Sequence, residues 1–381
     1  KRVFQAVDEY RQRKRGRPRF KGYRGLNSIE HNSLANLRLV ENTLHYLGLH
    51  LPLLYNPRDP IHYHGLNSRI KYVRLVRKNF TGKQRYFAQL VCEGQPFVKG
   101  KNLPGKATVG LDIGPQTIAI VSPEKKVAHL KVFADELKPL KATKKRLQQK
   151  LSRQLRSNNP SAFEIDRWEK KDKNWQRKQG KSIKGKRLTI RSKSLQKTST
   201  QLADISRREA SFRKTQHGNL ANKIIQIGHE IKTEKLSYKS FQRLFGSSIG
   251  LRAPGMFLEK LKRKAENAGG KVEEINTWKT ALSQTCQCRK REKKPLSQRW
   301  HQCSCGVKAQ RDLYSAYLAC FVEKDKLIAD QAQKAWSGMD IALRTAMSKL
   351  KHASSGLLPS SLGLKKLGSE RVVCDAVSYT H

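Results

Sequence analysis

Three carboxylates fall at the ends of elements that the sequence predicts. Asp112 ends the apolar strand in VGLDIG, Glu234 ends the strand pattern IKTE, and Asp312 opens the helix AQRDLYSAYLACFVEK. Hydrolysis of a phosphodiester by two hard cations needs oxygen ligands around ions about 4 Å apart, one preparing the water and the other stabilising the leaving oxygen. The competing interpretation is structural, because strand-end aspartates commonly cap turns and carboxylates in a basic chain pair with Lys or Arg.

Four of the seven cysteines form two close pairs separated by 14 residues. The pairs are Cys286 with Cys288 and Cys303 with Cys305. Two such pairs of thiolates can complete a tetrahedral structural Zn²⁺ site in a ribbon-like loop. The spacing C-x-C departs from the usual C-x-x-C, so His301 and Cys320 are alternative ligands. Free or oxidised cysteines remain the other interpretation, although the clustering favours a cytosolic metal site over a disulfide framework.

Charge limits the class of partner. The chain has 381 residues, with 79 Lys and Arg against 30 Asp and Glu, so its formal net charge is +49. A fold with this much like charge repels itself unless a polyanion neutralises it, which argues against an ordinary metabolic enzyme. Because 37% of the residues are hydrophobic, wholesale disorder is also excluded. We therefore expect a nucleic-acid partner.

Basic residues alternate with aromatic ones in two segments, where they could grip a phosphate backbone and stack bases, and a third, helical segment carries basic residues that suit a surface tracking a duplex. The candidate contacts are Arg17, Arg19, Phe20, Lys21, Tyr23 and Arg24 in a basic arm, Lys71, Arg74 and Arg77 in a β unit, and Lys144, Lys145 and Arg146 in a helical segment. A solvated charged face is the alternative interpretation.

The order of predicted elements indicates a mixed α/β core with an antiparallel β unit before it. Residues 35–100 alternate apolar and polar positions between turn signals, which is typical of a small barrel or half-barrel. Three short strands are predicted from residue 107, then two long basic helices joined by a basic loop. No apolar run is long enough to span a membrane. The residues from about 350 are expected to be poorly ordered.

The joint occurrence of GLDIG, a strand ending in Glu, and TALSQTCQC…RWHQCSCGVKAQRDLYSAYLA resembles the TnpB proteins of bacterial insertion sequences. These proteins share the RuvC-type nuclease fold of the type V CRISPR effectors, and they are commonly labelled transposases. The resemblance covers roughly residues 15–325, and its C-G-x-x-x-x-R-D motif runs from Cys305 to Asp312.

The resemblance implies an α/β plus β architecture built around an RNase H-like (RuvC) core. The expected parts are an OB-like β-barrel wedge domain with its basic arm at 1–106, the core at 107–135, 218–280 and 308–330, a basic helical insert at 136–217, a zinc ribbon at 281–307, and a C-terminal helix and flexible tail at 331–381. The region before Asp112 is short for the family, so we expect the N-terminal part of the wedge domain to be missing.

The resemblance also implies an RNA-guided DNA endonuclease. Asp112, Glu234 and Asp312 would be the catalytic carboxylates that hold Mg²⁺ or Mn²⁺, with Asp112 bridging both ions and Glu230 as a fallback ligand. Guide RNA and target DNA would be the partners of a bacterial cytoplasmic protein, nucleoid-associated when bound to DNA. We expect a structural Zn²⁺, no membrane contact and a monomer.

Three other functions remain open at this stage. One is an RNA-guided DNA-binding protein or repressor that no longer cuts, although the intact carboxylates count against it. The second is a DNA-strand-transferring transposase, which can use a similar set of carboxylates and would bind transposon ends without RNA. The third is a structural RNA-binding protein, which predicts no dependence on divalent metal.

Overall fold

The computed structural model describes residues 2–19, 22, 25–31, 37–132, 138–171, 174–186, 188–295 and 297–353. These residues belong to two compact units, Lys1–Phe97 and Val98–His381. The predicted tail beyond residue 353 and the aromatic part of the basic arm, with Phe20, Lys21, Tyr23 and Arg24, lie outside the described residues.

The first unit is an α+β domain of short strands. Its elements are α1 (Arg2–Arg11), β1 (Ser28–His31), β2 (Leu37–Val40), β3 (Thr43–Tyr46), β4 (Leu49–Pro52), α2 (Pro60–Leu66), β5 (Ile70–Phe80) and β6 (Lys83–Cys92). They form two antiparallel sheets in the orders β1-β5-β6 and β2-β3-β4. Leu37, Leu44 and Val73 are buried in one core cluster. Among the described residues no ladder joins the two sheets, so closure into the predicted barrel is not confirmed.

The second unit carries the predicted nuclease core. Its elements are β7 (Ala107–Ile113), β8 (Thr117–Ser122), β9 (Val127–Val132), α3 (Lys138–Asn158), β10 (Arg167–Lys171), β11 (Asn174–Lys178), α4 (Lys193–Ile227), β12 (Gly228–Glu234), α5 (Tyr238–Arg252), α6 (Pro254–Asn267), β13 (Lys271–Ile275), α7 (Thr277–Thr280), β14 (Trp300–Gln302), β15 (Lys308–Gln310), α8 (Arg311–Ala319), β16 (Val322–Glu323), β17 (Lys326–Leu327), α9 (Ala329–Lys334) and α10 (Met339–Ala353).

A five-stranded mixed sheet organises this unit, in the order β13-β12-β7-β8-β9. The strands β7, β8 and β9 pair antiparallel with one another, whereas β12 pairs in parallel with both β7 and β13. The apolar, largely β-branched residues of β7 and β8 suit a sheet that is covered on both faces. The mixed α/β class predicted from the sequence is therefore confirmed.

The two faces of the sheet have separate cores. Val109, Leu111 and Ile113 of β7 pack with residues of α4 and α6 on one face. The opposite face of the neighbouring strand β8, with Ala119 and Val121, packs against α8 and α10. Because side chains alternate along a strand, Gly110 and Asp112 belong to the face that α8 covers.

The insert differs from its prediction in two respects. Its second helix, α4, is a single helix of 35 residues that ends only at Ile227, so the predicted boundary at 217/218 falls inside the helix. Its buried residues increase toward the C-terminal end, where the helix covers the sheet. The segment between α3 and α4 also contains the antiparallel hairpin β10–β11, where the sequence pattern predicted only a basic loop.

The helix predicted from AQRDLYSAYLACFVEK is shorter than its pattern. It ends at Ala319, and the hairpin β16–β17 and the helices α9 and α10 follow it. The apolar residues beyond Ala319 pack in the core cluster that also contains α8, where Val322, Ala332 and Leu343 are buried. None of the described helices is long and apolar enough to span a membrane.

Candidate active site and metal centre

Asp112 and Glu234 lie on neighbouring strands at the same edge of the sheet. Leu111 of β7 is paired in register with Thr233 of β12, so the two carboxylates occupy the next position along parallel strands. Ile231 is buried in the α4/α6 core, which places Glu234, three residues later, on the opposite face. Both acids therefore belong to the face that α8 covers, and they lie side by side at the ends of two parallel strands.

Gly110 allows α8 to approach this face closely. A Cβ atom at Gly110 would lie 1.8 Å from the backbone oxygen of Ala316, a distance that no side chain tolerates. Lys232, buried two residues before Glu234, donates to the carbonyl oxygens of Val322 (2.8 Å) and Cys320 (3.4 Å) just beyond the helix. These contacts fix α8 relative to the two strands that carry the acids.

Asp312 lies in the first turn of α8, where the positive end of the helix dipole favours an anion. The other eight residues of this nine-residue helix are buried, whereas Asp312 keeps partial exposure. Gln310 is the N-cap of this helix, and its side chain accepts a hydrogen bond from the Leu313 amide at 2.8 Å. Asp312 therefore lies at the N-terminal end of a helix that is otherwise buried.

The charges of the other two acids act on Asp112. Burial raises the pKa of Asp112 well above its ordinary value, and the charges of Asp312 and Glu234 raise this pKa further. Arg311 and Arg299 oppose the rise. The structure therefore places Asp312 and Glu234 near enough to Asp112 for their charges to raise its pKa.

The other two acids share this environment. Burial raises the pKa of Asp312, against the hydrogen bond with Gln310 and the charges of the two arginines. Burial also raises the pKa of Glu234, against a backbone hydrogen bond from Leu282. The Oε1 atom of Glu234 is buried and has no hydrogen-bond partner among the described residues.

A hard divalent cation fits this group of donors. Carboxylate oxygens are the ligands that Mg²⁺ and Mn²⁺ prefer, and a cation would relieve both the mutual repulsion and the unpaired Glu234 Oε1. The three acids are not among the described groups whose ligand atoms all lie within 4.8 Å of one another.

Two arginines near the acids were not singled out in the sequence. The charges of Arg299 and Arg311 act on both Asp112 and Asp312. Arg311 donates to the carbonyl oxygens of Gln298 (3.0 Å) and Pro295 (3.2 Å), which holds its guanidinium in place. Arg311 lies directly before Asp312 in the R-D motif, but nothing in the spacing of Arg299 indicated its position beside the acids.

Glu230, the predicted fallback ligand, has a different partner. Its carboxylate lies 2.8 Å from the Lys271 ammonium across the parallel strands β12 and β13. Hydrogen bonding with Lys271 lowers the pKa of Glu230, against burial. Glu230 is therefore paired with a lysine, which is the alternative that the sequence left open for each of the carboxylates.

The four predicted cysteines form a single cluster. Their sulfur atoms all lie within 4.8 Å of one another, with Cys286 Sγ 3.5 Å from Cys305 Sγ and Cys288 Sγ 3.4 Å from Cys303 Sγ. All four are free thiols. Zn–S bonds of about 2.3 Å in a tetrahedron place sulfurs about 3.8 Å apart, so the cluster is compatible with a structural zinc ion.

Two similar turns explain how C-x-C pairs reach this geometry. In the first, the Cys286 amide donates to the Lys290 carbonyl and the Arg289 amide donates to the Cys286 carbonyl, both at 2.9 Å. Arg289 has a φ of 70°, in the left-handed region. The turn folds the chain back immediately after Cys288, so both sulfurs point to one side.

The second turn repeats this pattern. The Cys303 amide donates to the Val307 carbonyl and the Gly306 amide donates to the Cys303 carbonyl, both at 3.0 Å. Gly306, at the position that corresponds to Arg289, has a φ of 89°. In each turn the residue after the cysteine pair has a left-handed backbone conformation, and this conformation compensates for the shorter C-x-C spacing.

The alternative zinc ligands are engaged elsewhere. His301 Nδ1 lies 2.5 Å from the Lys294 Nζ, and the centroid of its ring lies 4.3 Å from that of Tyr314, with the ring planes tilted by 31°. The Cys320 thiol donates to the Val121 carbonyl at 3.5 Å in the core. Tyr314 itself contacts the cluster, since its hydroxyl lies 3.4 Å from Cys286 Sγ.

The predicted nucleic-acid contacts fall into two groups. Arg17, Arg19, Lys145 and Arg146 are exposed, the first two outside any helix or strand and the other two on α3. Lys71 is also exposed and lies 3.6 Å from Glu93. Their guanidinium and ammonium groups are therefore accessible to a polyanion.

The other predicted contacts that the structure describes bind groups of the protein itself. Arg74 pairs with Glu30 at 2.6 Å, and Lys144 pairs at 2.9 Å with Glu209, which is buried in α4. Arg77 donates to the Leu26 carbonyl at 2.9 Å. These contacts hold elements together, a role that the spacing of basic residues did not distinguish from nucleic-acid binding.

Comparison with known proteins identifies one segment directly. Residues 255–318 match the family model described as Cas12f1-like, TNB domain. The segment runs from α6 to α8, so it contains the four cysteines and Asp312 but neither Asp112 nor Glu234. No curated protein matches the chain.

Among solved structures, the chain is similar to two cryo-EM structures. A CRISPR-Cas12f ternary complex matches at 15% identity and a TM-score of 0.37, over 68% of this chain and 47% of that chain. A Cas12f1-sgRNA-target DNA complex matches at 12% identity and a TM-score of 0.44, over 81% of this chain and 67% of that chain. The chain thus spans about half the length of the first of these proteins. Residues 255–318 are thus similar to the TNB domain of Cas12f1-like proteins, and they lie within the segment for which the sequence resemblance predicted relatives among the type V CRISPR effectors.

Proposed function

We propose that this chain is a TnpB-like, RNA-guided DNA endonuclease of a transposon, which hydrolyses phosphodiesters with a divalent metal at Asp112, Glu234 and Asp312. The observation that carries the proposal is the convergence of the three acids on one face of the sheet, where the charges of the other two raise the pKa of Asp112. The mixed sheet, with β7 to β9 antiparallel and β12 and β13 parallel, supports an RNase H-like core.

The residues of the chain have distinct tasks in this proposal. Mg²⁺ or Mn²⁺, when bound, would supply the Lewis acid that activates water and stabilises the leaving oxygen. Asp112, whose charge is coupled to both other acids, would hold the cations jointly with them. Glu234 would contribute the buried Oε1 that has no other partner. Arg299 would balance the negative charge of the cluster.

Two further assignments complete the proposal. The four cysteines would hold a structural Zn²⁺, because their mutual distances suit tetrahedral sulfur ligation. Guide RNA and target DNA would be the polyanions that neutralise a formal charge of +49. The exposed Lys145 and Arg146 of α3 are suited to this contact.

The decisive experiment is cleavage of target DNA by Asp112→Ala protein with bound guide RNA and Mg²⁺. We expect complete loss of cleavage with binding retained, because the variant removes the central ligand. Glu266→Gln, on an exposed position of α6, is the matched carboxylate control and should cut normally. Retained cleavage by Asp112→Ala would sink the proposal.

Sequencing of the nucleic acid that co-purifies with the protein separates the guided nuclease from a transposase. A defined RNA species favours the nuclease, whereas transposon-end DNA without RNA would favour strand transfer. Cleavage that does not depend on divalent metal would contradict both.

A further inference from the structure

The hairpin β10–β11 exposes two tryptophans that the proposed nuclease site does not use. Trp168 and Trp175 keep 65% and 66% of their surface exposed. Neither ring has an aromatic contact among the described residues. Two exposed tryptophans close together on a monomer surface mark an interaction site more often than a solvated one.

The strand register places both rings on one face with two cations. Trp168 is paired with Arg177, and Lys170 is paired with Trp175. Since residues two apart on a strand share a face, all four side chains project from the same side of the ribbon. The two tryptophans are diagonal neighbours, about 7–8 Å apart. This spacing is about twice the 3.4 Å rise between stacked bases.

The base of the ribbon is anchored while this face stays open. Asp166 accepts hydrogen bonds from the Gly180 amide at 2.9 Å and from Arg177 at 3.0 Å. Arg156, near the end of α3, donates to the Gly180 carbonyl at 2.8 Å, and its guanidinium lies over the Phe163 ring at 4.6 Å. The anchoring matters because a two-stranded hairpin alone is only marginally stable in water. The aromatic face is thus held in a fixed position on the insert.

Charge identifies the class of partner. Residues 166–187 contain ten Lys and Arg against three Asp and Glu. A strongly cationic ribbon with planar rings suits a single nucleic-acid strand, because every base offers a π-face and the phosphates offer negative charge. An acidic protein surface would match the charge but not the paired rings.

We propose that this face, formed by Trp168, Lys170, Trp175 and Arg177, is a stacking platform for single-stranded DNA. The choice of DNA rests on the proposed function, in which an unpaired DNA strand has to be held near the carboxylates.

The test is equilibrium binding of a fluorescent oligothymidine to the full-length chain carrying Asp112→Asn, without divalent metal. Binding is thereby measured independently of cleavage, so a failure of the nuclease proposal does not affect the result. We expect Trp168→Ala with Trp175→Ala to weaken binding at least ~10-fold, since each stacked base contributes on the order of a tenfold change. Gln176→Ala, on the opposite face of the same strand, is the matched control and should bind like its parent.

Two further probes, an RNA of the same length and a DNA duplex, decide the nucleic-acid class. A loss larger for single-stranded DNA than for either probe, with tryptophan fluorescence quenched by DNA in the parent, supports the proposal. An equal or larger loss with RNA or duplex overturns it, as does unchanged binding of DNA. Circular dichroism of the double variant verifies that the insert remains folded.

Discussion

At the scale of single residues, the three acids are positioned at a cost to stability. Asp112 is partly buried with Asp312 and Glu234 nearby, and its pKa in the folded protein is raised above its ordinary value. Protonation therefore favours the folded state. The penalty is absent at a pH well below the ordinary pKa of 3.8 and grows as the pH rises above that value. A site that repels its own charges in this way favours cation binding.

Asp112→Asn should therefore stabilise the metal-free protein near pH 7 while abolishing cleavage. Relief of repulsion by about 1–2 kcal/mol would raise the melting temperature by several degrees in a chain of this size. Calorimetry in EDTA measures the shift, and added Mn²⁺ should stabilise the parent more than the variant. A variant that melts at or below the parent temperature in EDTA would contradict this account.

His217 gives the protein an acid-sensitive position away from the proposed metal site. It is 1% exposed in α4, its Nε2 lies 2.9 Å from the Arg252 carbonyl oxygen, and its ring meets the Phe257 ring edge-on at 5.5 Å. Burial lowers its pKa from 6.5 to about 4, with Lys260 and Arg213 adding to the effect.

Because the folded pKa of His217 is depressed, its contribution is complete above pH 6.5 and is lost as the pH falls to about 4. The free energy of unfolding should fall by up to about 3 kcal/mol over this range. His217→Gln should flatten this part of the pH profile, measured by urea unfolding. His62→Gln, in an exposed position, should leave the profile unchanged. Identical slopes in all three proteins would refute the assignment.

At the scale of elements, the contact between β7 and α8 decides where the acids meet. Gly110 is two residues before Asp112, and Ala316 is one helical turn after Asp312. A side chain at Gly110 would collide with a backbone atom, which cannot move aside as a flexible side chain could. The helix would have to shift, and Asp312 would move with it.

Gly110→Ala should destabilise the protein by about 2–3 kcal/mol, within the range measured for overpacked cores. Where the variant still folds, its cleavage rate should fall by more than the loss of folded protein explains, because Asp312 is displaced from the other two acids. Gly250→Ala is the matched control, since a Cβ there meets nothing within 4 Å and helix propensity favours alanine. Urea unfolding and cleavage rates of the two variants should diverge, and similar results would refute the role of the contact.

The cysteine turns show how an unusual spacing is accommodated by backbone conformation. Arg289 holds a left-handed φ of 70° at the position where the second turn has Gly306. A non-glycine residue in this region costs on the order of 1 kcal/mol. Gly306→Ala should therefore weaken Zn²⁺ retention, measured as transfer of zinc to a competing chelator, by about 5-fold.

Arg289→Gly is the reciprocal test, because it relieves the strain and removes only an exposed ion pair with Asp330. We expect zinc retention equal to or better than that of the parent. The same loss from both substitutions would show that side-chain contacts, rather than backbone conformation, set the stability of the turns.

At the scale of the whole molecule, the net charge of +49 predicts strongly salt-dependent binding of nucleic acid. The structure separates the basic residues that can contribute from those that cannot. Lys145 and Arg146 are exposed on α3, whereas Arg74 is held by Glu30 through hydrogen bonds of 2.8 and 2.6 Å.

Lys145→Gln with Arg146→Gln should reduce the slope of log K against log salt by about 2 on duplex DNA, because two phosphate contacts are lost. The stability of the protein should change little. Arg74→Gln should instead lower the stability of the first unit and leave the slope unchanged. Fluorescence anisotropy over a salt series distinguishes the variants. A normal slope for the double variant would place the contact surface elsewhere.

Much of the element order could be predicted from the sequence, because it depends on local patterns. The strands around Asp112 and Glu234, the helix at Asp312 and the paired cysteines all follow from hydrophobic periodicity and spacing. The hairpin β10–β11 could not be predicted, since each of its strands has a single apolar residue, Trp168 or Trp175, and therefore no apolar alternation. The end of α4 was misplaced because one helix crosses from a solvated to a buried environment without a break in its pattern.

The sequence by itself determined which side chains can bind cations, phosphates and zinc, since that chemistry belongs to residue type. Only the tertiary structure decided which of them act together. It separated Glu234 from Glu230 by giving the latter a lysine partner, and it placed Arg299 beside the acids. The physical reason is that charge–charge interactions and close packing depend on distances between segments far apart in the chain, which no local pattern encodes.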